Sequence, residues 1–354
     1  MNKSGRATIY DVAREAGVST KTVSKVINTK PGVNEATRKR VLDIVTSLGY
    51  HPHHGARTLR GKNRNCVGVT IAPPMDLVPL SEDFLIWLFA KLSTIFSAQG
   101  AYICFDINRY SPNSQSDYAR GVWEQMYDVC VVVGPLPSQD DTMRRIHEYG
   151  MPYLALGRLD NFPECSSAAV NLEQGAYEST RFLIQRGHRR IALLTAFDGF
   201  YACEERLGGY RRALAEAGLP WDDRLVRNVH PVRDNLSDAV FRLLAESETS
   251  AVVDSTAFEN GAALRDGCRK AGRTPGTDLD MVVWTYMENT AVMKEAAAHL
   301  WLPVRQVVIE GLERLSKWSS GETEGPIKVL YQPVLRAEQY EHDVERPIRI
   351  ADLL

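Results

Sequence analysis

The sequence predicts a small all-α N-terminal domain followed by a much larger α/β body built on parallel sheets. Three observations predict it. Positive charge sits at one end: residues 1–62 hold twelve Lys and Arg against four Asp and Glu, or +8, and the other 292 residues carry −10. The net charge of −2 therefore hides a basic head on an acidic body, the layout of a separate polyanion-binding domain. The head shows three short apolar stripes at helical spacing, separated by Gly and Pro breaks. From Asn65 on, short apolar runs alternate with amphipathic stretches. Such alternation gives parallel sheets with helices on both faces.

Thr8 opens the first helix as a cap, with Asp11 three residues on and favourable near the positive helix end. Ile9, Val12, Ala13 and Ala16 form one stripe, and Gly17 ends it. Gly17-Val18-Ser19 is a three-residue turn in which Ser19 can cap a second helix, Thr20 to Asn28. That helix turns Val23, Val26 and Ile27 inward and shows Thr20, Lys21, Ser24, Lys25 and Asn28 on its other face. Pro31-Gly32 breaks the chain, and Asn34 caps a third helix carrying Val41, Ile44, Val45 and Leu48, ended by Gly49. Two helices joined by a short Gly-containing turn form a helix-turn-helix. A groove-reading helix needs an apolar back that holds it rigid and a small, polar, cationic front, and the second helix has both. These features point to duplex DNA as a partner.

Composition excludes several classes. With 44% apolar and 24% charged residues the chain can bury a core, and at ~150 residues per domain its length fits two or three domains. No run reaches the ~18 uncharged apolar residues of a membrane helix, and MNKSGRATIY lacks the apolar segment of a secretion signal, so no membrane partner is expected. Six well-separated cysteines without a CxxC read as free thiols of a reducing, cytoplasmic compartment. GARTLRGKN (55–63) is a poor phosphate loop, with five residues between its glycines instead of four and Asn63 where Ser or Thr is required. His51, His53 and His54 surround a proline and read as solvated residues, not metal ligands. G-x-S-x-G, HExxH and an N-terminal G-x-G-x-x-G are absent, so neither an enzyme nor a cofactor is expected.

In the body, 66–72, 101–107, 129–134, 153–157, 191–196, 251–255 and 281–286 read as buried strands. Residues 84–100, 142–150, 175–186 and 207–218 read as helices between them. Ligands of such sheets bind at the C-terminal ends of the strands.

YDVAREAGVSTKTVSKVIN (10–28), VNEATRKRVLDIVTSLGYHP (33–52), GHRRIALL (187–194) and ERLGGYRRAL (205–214) closely resemble segments of the LacI family of bacterial transcriptional regulators. The resemblance is strongest over 8–62 and patchy after 250. It implies a periplasmic-binding-protein-like body of two lobes with crossovers near 170, 304 and 330. The implied domains are a helix-turn-helix head at 1–50, a hinge at 51–63 and an effector-binding and dimerisation domain at 64–354. Lobe one would take about 64–168 plus 304–328, and lobe two about 169–303 plus 329–354. Thr20, Lys21 and Lys25 match the family's base-reading positions, Thr8, Tyr10, Ser24, Asn28 and Thr37 match phosphate-holding ones, and Ser19 is expected among the DNA contacts as well. Residues 53–60 match a hinge helix that forms on DNA, with Ala56 where two copies touch and Leu59 as the minor-groove wedge. His53 replaces the usual Asn and Gly55 lowers helix propensity by ~1 kcal/mol, so a plain linker is the alternative.

For the cleft, Arg206 matches the family's effector contact, Arg158 follows a strand at its C-terminal edge, and Phe84 matches an apolar cleft position. Ser255-Thr256 stand where relatives carry Asn-Asp, and Tyr286 stands where they carry an Asp that accepts sugar hydroxyls. Two arginines without that Asp imply an anionic or partly aromatic effector, a sugar derivative such as a phosphosugar or sugar acid; loss of effector response is the alternative. The implied function is a sequence-specific repressor of a carbohydrate-related operon. EHDVERPIRIADLL (341–354) shows none of the leucine heptads of the family's tetramers, which implies a homodimer on a pseudo-palindromic operator. The competing class is a small-molecule-binding protein without regulatory output.

Overall fold

The computed structural model describes residues 7–27, 30–50, 65–72, 82–107, 118–135, 140–159, 161–196, 201–230, 234–258, 260–286 and 293–337. The expected contacts Asn28, Ala56 and Leu59, and the expected hinge at 51–63, lie outside these residues. The chain divides into two units, Met1–Arg64 and Asn65–Leu354.

The head is three helices, α1 (Ile9–Ala16), α2 (Thr20–Ile27) and α3 (Glu35–Ser47). Each begins at a polar cap. Thr8 and Asp11 form a reciprocal capping box, Ser19 Oγ accepts the Thr22 N–H at 3.1 Å, and Asn34 Oδ1 accepts the Thr37 N–H at 2.8 Å. Gly17 ends α1 at φ 62°, a left-handed conformation that costs glycine nothing and most residues 1 kcal/mol or more. Val12, Val23 and Val41, one from each helix, are fully buried together with Ala13, Ala16, Val26 and Tyr50. Each such valine stabilises the head by ~1.5–3 kcal/mol through removal from water. The stripes read from the sequence are the stripes that pack.

In chain order the body runs β1 (Cys66–Ile71), α4 (Glu82–Ser97), β2 (Tyr102–Ile107), α5 (Arg120–Trp123), β3 (Val129–Val133), α6 (Asp140–Tyr149), β4 (Tyr153–Leu156), β5 (Ser167–Val170), α7 (Leu172–Gln185), β6 (Ile191–Ala196), α8 (Tyr201–Glu216), β7 (Val226–Val229), α9 (Leu236–Ser247), β8 (Ala251–Asp254), α10 (Gly261–Lys270), β9 (Asp280–Thr285), β10 (Ala298–Trp301), α11 (Val304–Ser320), β11 (Lys328–Tyr331) and β12 (Val334–Arg336). Among the described residues these strands form two sheets, ordered β11-β5-β4-β3-β1-β2 and β12-β10-β9-β8-β6-β7. Neighbours are parallel throughout, except that β12 runs antiparallel to β10. Central strands such as β3 (VCVVV) are buried along their whole length, as strands covered on both faces must be.

The chain passes from the first sheet to the second between Val170 and Leu172, returns between Trp301 and Val304, and passes again between Tyr331 and Val334. The lobe-one limits expected at 168 and 328 cut through strands: β5 and β11 pair with each other and belong wholly to the first sheet, out to Val170 and Tyr331. All seven expected strands form. The sequence reading missed β5, β7, β10, β11 and β12, which are three or four residues long and each carry at least one polar side chain.

Against the second sheet, α7 and α8 pack with their backbones in near contact. A Cβ built on Gly209 would lie 1.9 Å from the Glu173 carbonyl oxygen, so the helices could not approach this closely with any other residue there. At the N-terminal edge of the sheet, Ser250 Oγ lies 2.8 Å from His188 Nδ1, and His188 Nε2 lies 3.0 Å from Asp280 Oδ2. This Ser-His-Asp chain ties together the starts of β6, β8 and β9. Arg186 also donates to Asp280 at 2.6 Å, and the Ser250 N–H, a possible oxyanion donor, is bonded to the Arg190 carbonyl. Burial raises the Asp280 carboxyl, but Arg186 and His188 outweigh it and hold the group below its usual range.

Candidate functional site

On the head, α2 has both a buried back and a cationic front. Val23 and Val26 are buried, Lys21 is exposed, and Thr20, Ser24 and Lys25 are half-buried. Tyr10, on α1, is 74% exposed. Two of the expected DNA contacts have structural duties. The Thr8 hydroxyl donates to Asp11 Oδ2 at 2.6 Å and its N–H donates to the same oxygen at 2.9 Å. Ser19 Oγ lies 3.0 Å from Thr22 Oγ1 besides accepting the Thr22 N–H. Both residues hold helix starts. The Thr37 N–H is used by Asn34, which leaves its half-buried hydroxyl as the group that could face a phosphate.

In the body, Arg206 sits on α8 and is 7% exposed. Its Nη1 donates to the Ala202 carbonyl at 3.0 Å, its guanidinium carbon lies 5.4 Å from the Trp284 ring centroid, and its Nε has no hydrogen-bond partner among the described residues. Burial pulls this guanidinium below its ordinary pKa, opposed by Glu205 and Asp254. Asp254 ends β8, buried, and accepts from the Thr256 N–H at 3.1 Å and hydroxyl at 2.7 Å. Burial raises its pKa against those bonds and the pull of Arg206. Trp284, on β9, is fully buried and donates its indole N–H to Ser179 Oγ at 3.0 Å. Arg206, Asp254 and Trp284 thus form a buried cation-acid-aromatic group toward the C-terminal ends of β8 and β9, where a doubly covered parallel sheet offers its ligand site.

The remaining expected effector contacts divide. Tyr286 directly follows β9 and is half-buried against the main core. Ser255 is fully buried, and its hydroxyl donates to the Leu194 carbonyl at 2.8 Å, tying β8 to β6. Phe84 belongs to the core of the first lobe, its ring 5.6 Å from Trp87. Arg158 follows β4 and reaches Asn171 Oδ1 at 3.2 Å, Glu173 Oε2 at 3.5 Å and Glu205 Oε2 at 3.6 Å. Among the described residues Arg158 is met by Glu173 and Glu205, Arg206 feels Glu205 and Asp254, and Glu173 is shared with Arg212. Sequence reasoning missed Asp254, Trp284, Glu173 and Glu205. The one available signal was the position of Asp254 and Trp284 near the ends of apolar strands.

A family model described as bacterial regulatory proteins, lacI family, matches residues 8–53, which contain α1 to α3. The model described as periplasmic binding proteins and sugar binding domain of LacI family matches residues 98–307, more than half of the chain. The chain belongs to the LacI family. It is 28% identical to the transcriptional regulator CelR of Thermobifida fusca over 345 residues, 96% of this chain and 99% of that one. It is 25% identical to catabolite control protein A of Priestia megaterium over 89% of this chain and 93% of that one. Among solved structures, a CelR-cellobiose complex matches at TM-score 0.63 and 25% identity, covering 94% of this chain and 99% of that one. The lac repressor dimer bound to operator and an anti-inducer matches at TM-score 0.73, covering 94% and 98%; at 20% identity this likeness is one of fold. This LacI-family member is a DNA-binding transcriptional regulator with a two-lobed periplasmic-binding-protein-like body; its relatives are regulators, not enzymes. Among the described residues no helix is long and apolar enough to cross a membrane, and no group of three or more His, Cys, Asp or Glu could hold a metal ion.

Proposed function

We propose that this regulator is a dimeric repressor of a carbohydrate-related operon, working on the bacterial nucleoid in the cytoplasm. Its two heads occupy half-sites of a pseudo-palindromic operator about one helical turn apart. The observation that carries the reading is α2, with its buried valine back and its polar, cationic front of Thr20, Lys21 and Lys25, the residues we assign to base edges. Lysine reaches guanine O6 and N7 but lacks the arginine fork, so each contact discriminates modestly. Tyr10, Ser24, Asn28 and Thr37 hold phosphates, while Thr8 and Ser19 fix the helix starts that aim them.

Pairing through the bodies is supported by the first lobe. Ile86 and Phe89 of α4 are 61% and 49% exposed, and β2, the outermost strand of its sheet, exposes Tyr102 and carries one charge, Asp106. Natural edge strands are ordinarily guarded by charge, and a second copy would cover this one. The effector is a sugar or sugar derivative gripped by Arg206, with Tyr286 beside it and Asp254 as an acceptor within reach of the same arginine. The cellobiose bound to CelR supports a sugar class. Effector binding changes the lobe arrangement and DNA affinity together, with a reciprocal coupling of ~1–3 kcal/mol.

Footprinting the full chain on fragments of its own genome tests the reading. Protection of a short pseudo-palindrome is expected, and uniform or absent protection would remove it. Leu59→Ala should lower affinity for the protected site about tenfold, ~1.4 kcal/mol, while leaving affinity for unrelated duplex unchanged. Equal affinities for parent and variant would reduce the hinge to a linker.

A further inference from the structure

Arg158 belongs to the first lobe, and two carboxylates that meet it, Glu173 and Glu205, belong to the second. It follows β4 of the first sheet, whereas Glu173 lies in the first turn of α7 and Glu205 in α8, both packed on the second sheet. Asn171, its third partner, sits in the first crossing between the lobes: it caps α7 through Gln174 N–H at 3.0 Å, and its own N–H donates to the Tyr331 carbonyl of β11 at 2.9 Å. The acids are held in place from behind. Arg212 donates to Glu173 Oε1 at 2.7 Å, and the Leu172 N–H, at the positive end of α7, donates to Glu205 Oε2 at 3.3 Å. The Arg158 side chain is only 23% exposed and that of Glu205 10%, so solvent screens this contact less than a surface pair.

We propose that Arg158 is an inter-lobe latch, an ionic contact that holds the two lobes at the angle seen here, and not an effector ligand. Glu205 directly precedes Arg206 on α8, and its charge opposes the effect of burial on that guanidinium. A ligand that draws on Arg206 changes what Glu205 can give to Arg158. In this way occupancy of one lobe reaches the other without a change in the core. The link to ligand rests on the effector reading above; the latch itself does not.

The test needs neither DNA nor effector, so its failure is distinguishable from failure of the functional reading. The full-length chain, Arg158→Glu, and the exchange Arg158→Glu with Glu173→Arg are compared by small-angle X-ray scattering at low salt, each eluted directly from a sizing column so that one oligomer is measured. Arg158→Glu sets three acids against one another, and its radius of gyration should rise above the parent's with an unchanged circular dichroism spectrum. The exchange restores an opposite-charge pair across the lobes and should return the radius to the parent value. Equal radii for all three folded proteins would overturn the latch. So would an expansion that the exchange fails to reverse.

Discussion

Raising salt from 50 to 200 mM should weaken binding of the full-length protein to duplex DNA by about 10³ to 10⁵, the loss expected when 6–10 phosphates are neutralised. The head carries +8 over 62 residues, and the acidic body cannot supply this attraction. Two heads per operator bring that many contacts within reach, each releasing condensed counterions. Plotted as log affinity against log salt, fluorescence anisotropy should give a line with a slope of roughly −5 to −9. A slope near zero would mean that the basic head does not face the backbone.

Gly209→Ala should destabilise the body by about 3 kcal/mol, at the upper end of ordinary overpacking costs, whereas Gly208→Ala should be neutral or stabilising. The two glycines are neighbours in α8, yet their surroundings differ. A Cβ at Gly209 would lie 1.9 Å from the Glu173 carbonyl oxygen and 2.9 Å from the Tyr177 nitrogen, both backbone atoms of α7 that no rotamer change can move. A Cβ at Gly208 would meet Glu173 Cγ at 3.8 Å, an ordinary contact, and alanine gains ~1 kcal/mol of helix propensity over glycine. Urea unfolding of each variant measures the difference. Because α7 carries Glu173 and α8 carries Glu205 and Arg206, Gly209→Ala should also disturb the cleft. Similar midpoints for the two variants would contradict the close helix contact.

The head was legible because its rules are local. Caps at Thr8, Ser19 and Asn34, a stop at Gly17 and apolar residues at helical spacing lie within a few residues of the partners they need. Central strands such as β3 were legible for the same reason: burial on both faces demands an unbroken apolar run. Short or edge strands make no such demand. β7 (VRNV) carries Arg227 and Asn228, which an outermost strand accommodates, and β12 is three residues long. The resemblance located Arg206 but not its setting. That Asp254 balances it, and that Glu173 and Glu205 meet Arg158, depends on elements distant in sequence and neighbouring only after folding. The charge of a cleft therefore could not be counted from its arginines alone.

The central claim is that the front of α2 reads base sequence while α1 and its surroundings hold the backbone. Selection of sites from a random duplex library tests it most directly, run with the parent, Lys25→Ala and Tyr10→Phe. The parent should enrich one pseudo-palindrome. Tyr10→Phe should enrich the same sequence with weaker binding throughout, and Lys25→Ala should lose preference at the base pair it contacts, where a lost base contact is worth ~1–3 kcal/mol. Identical enriched sequences and preferences from the parent and Lys25→Ala would contradict the account.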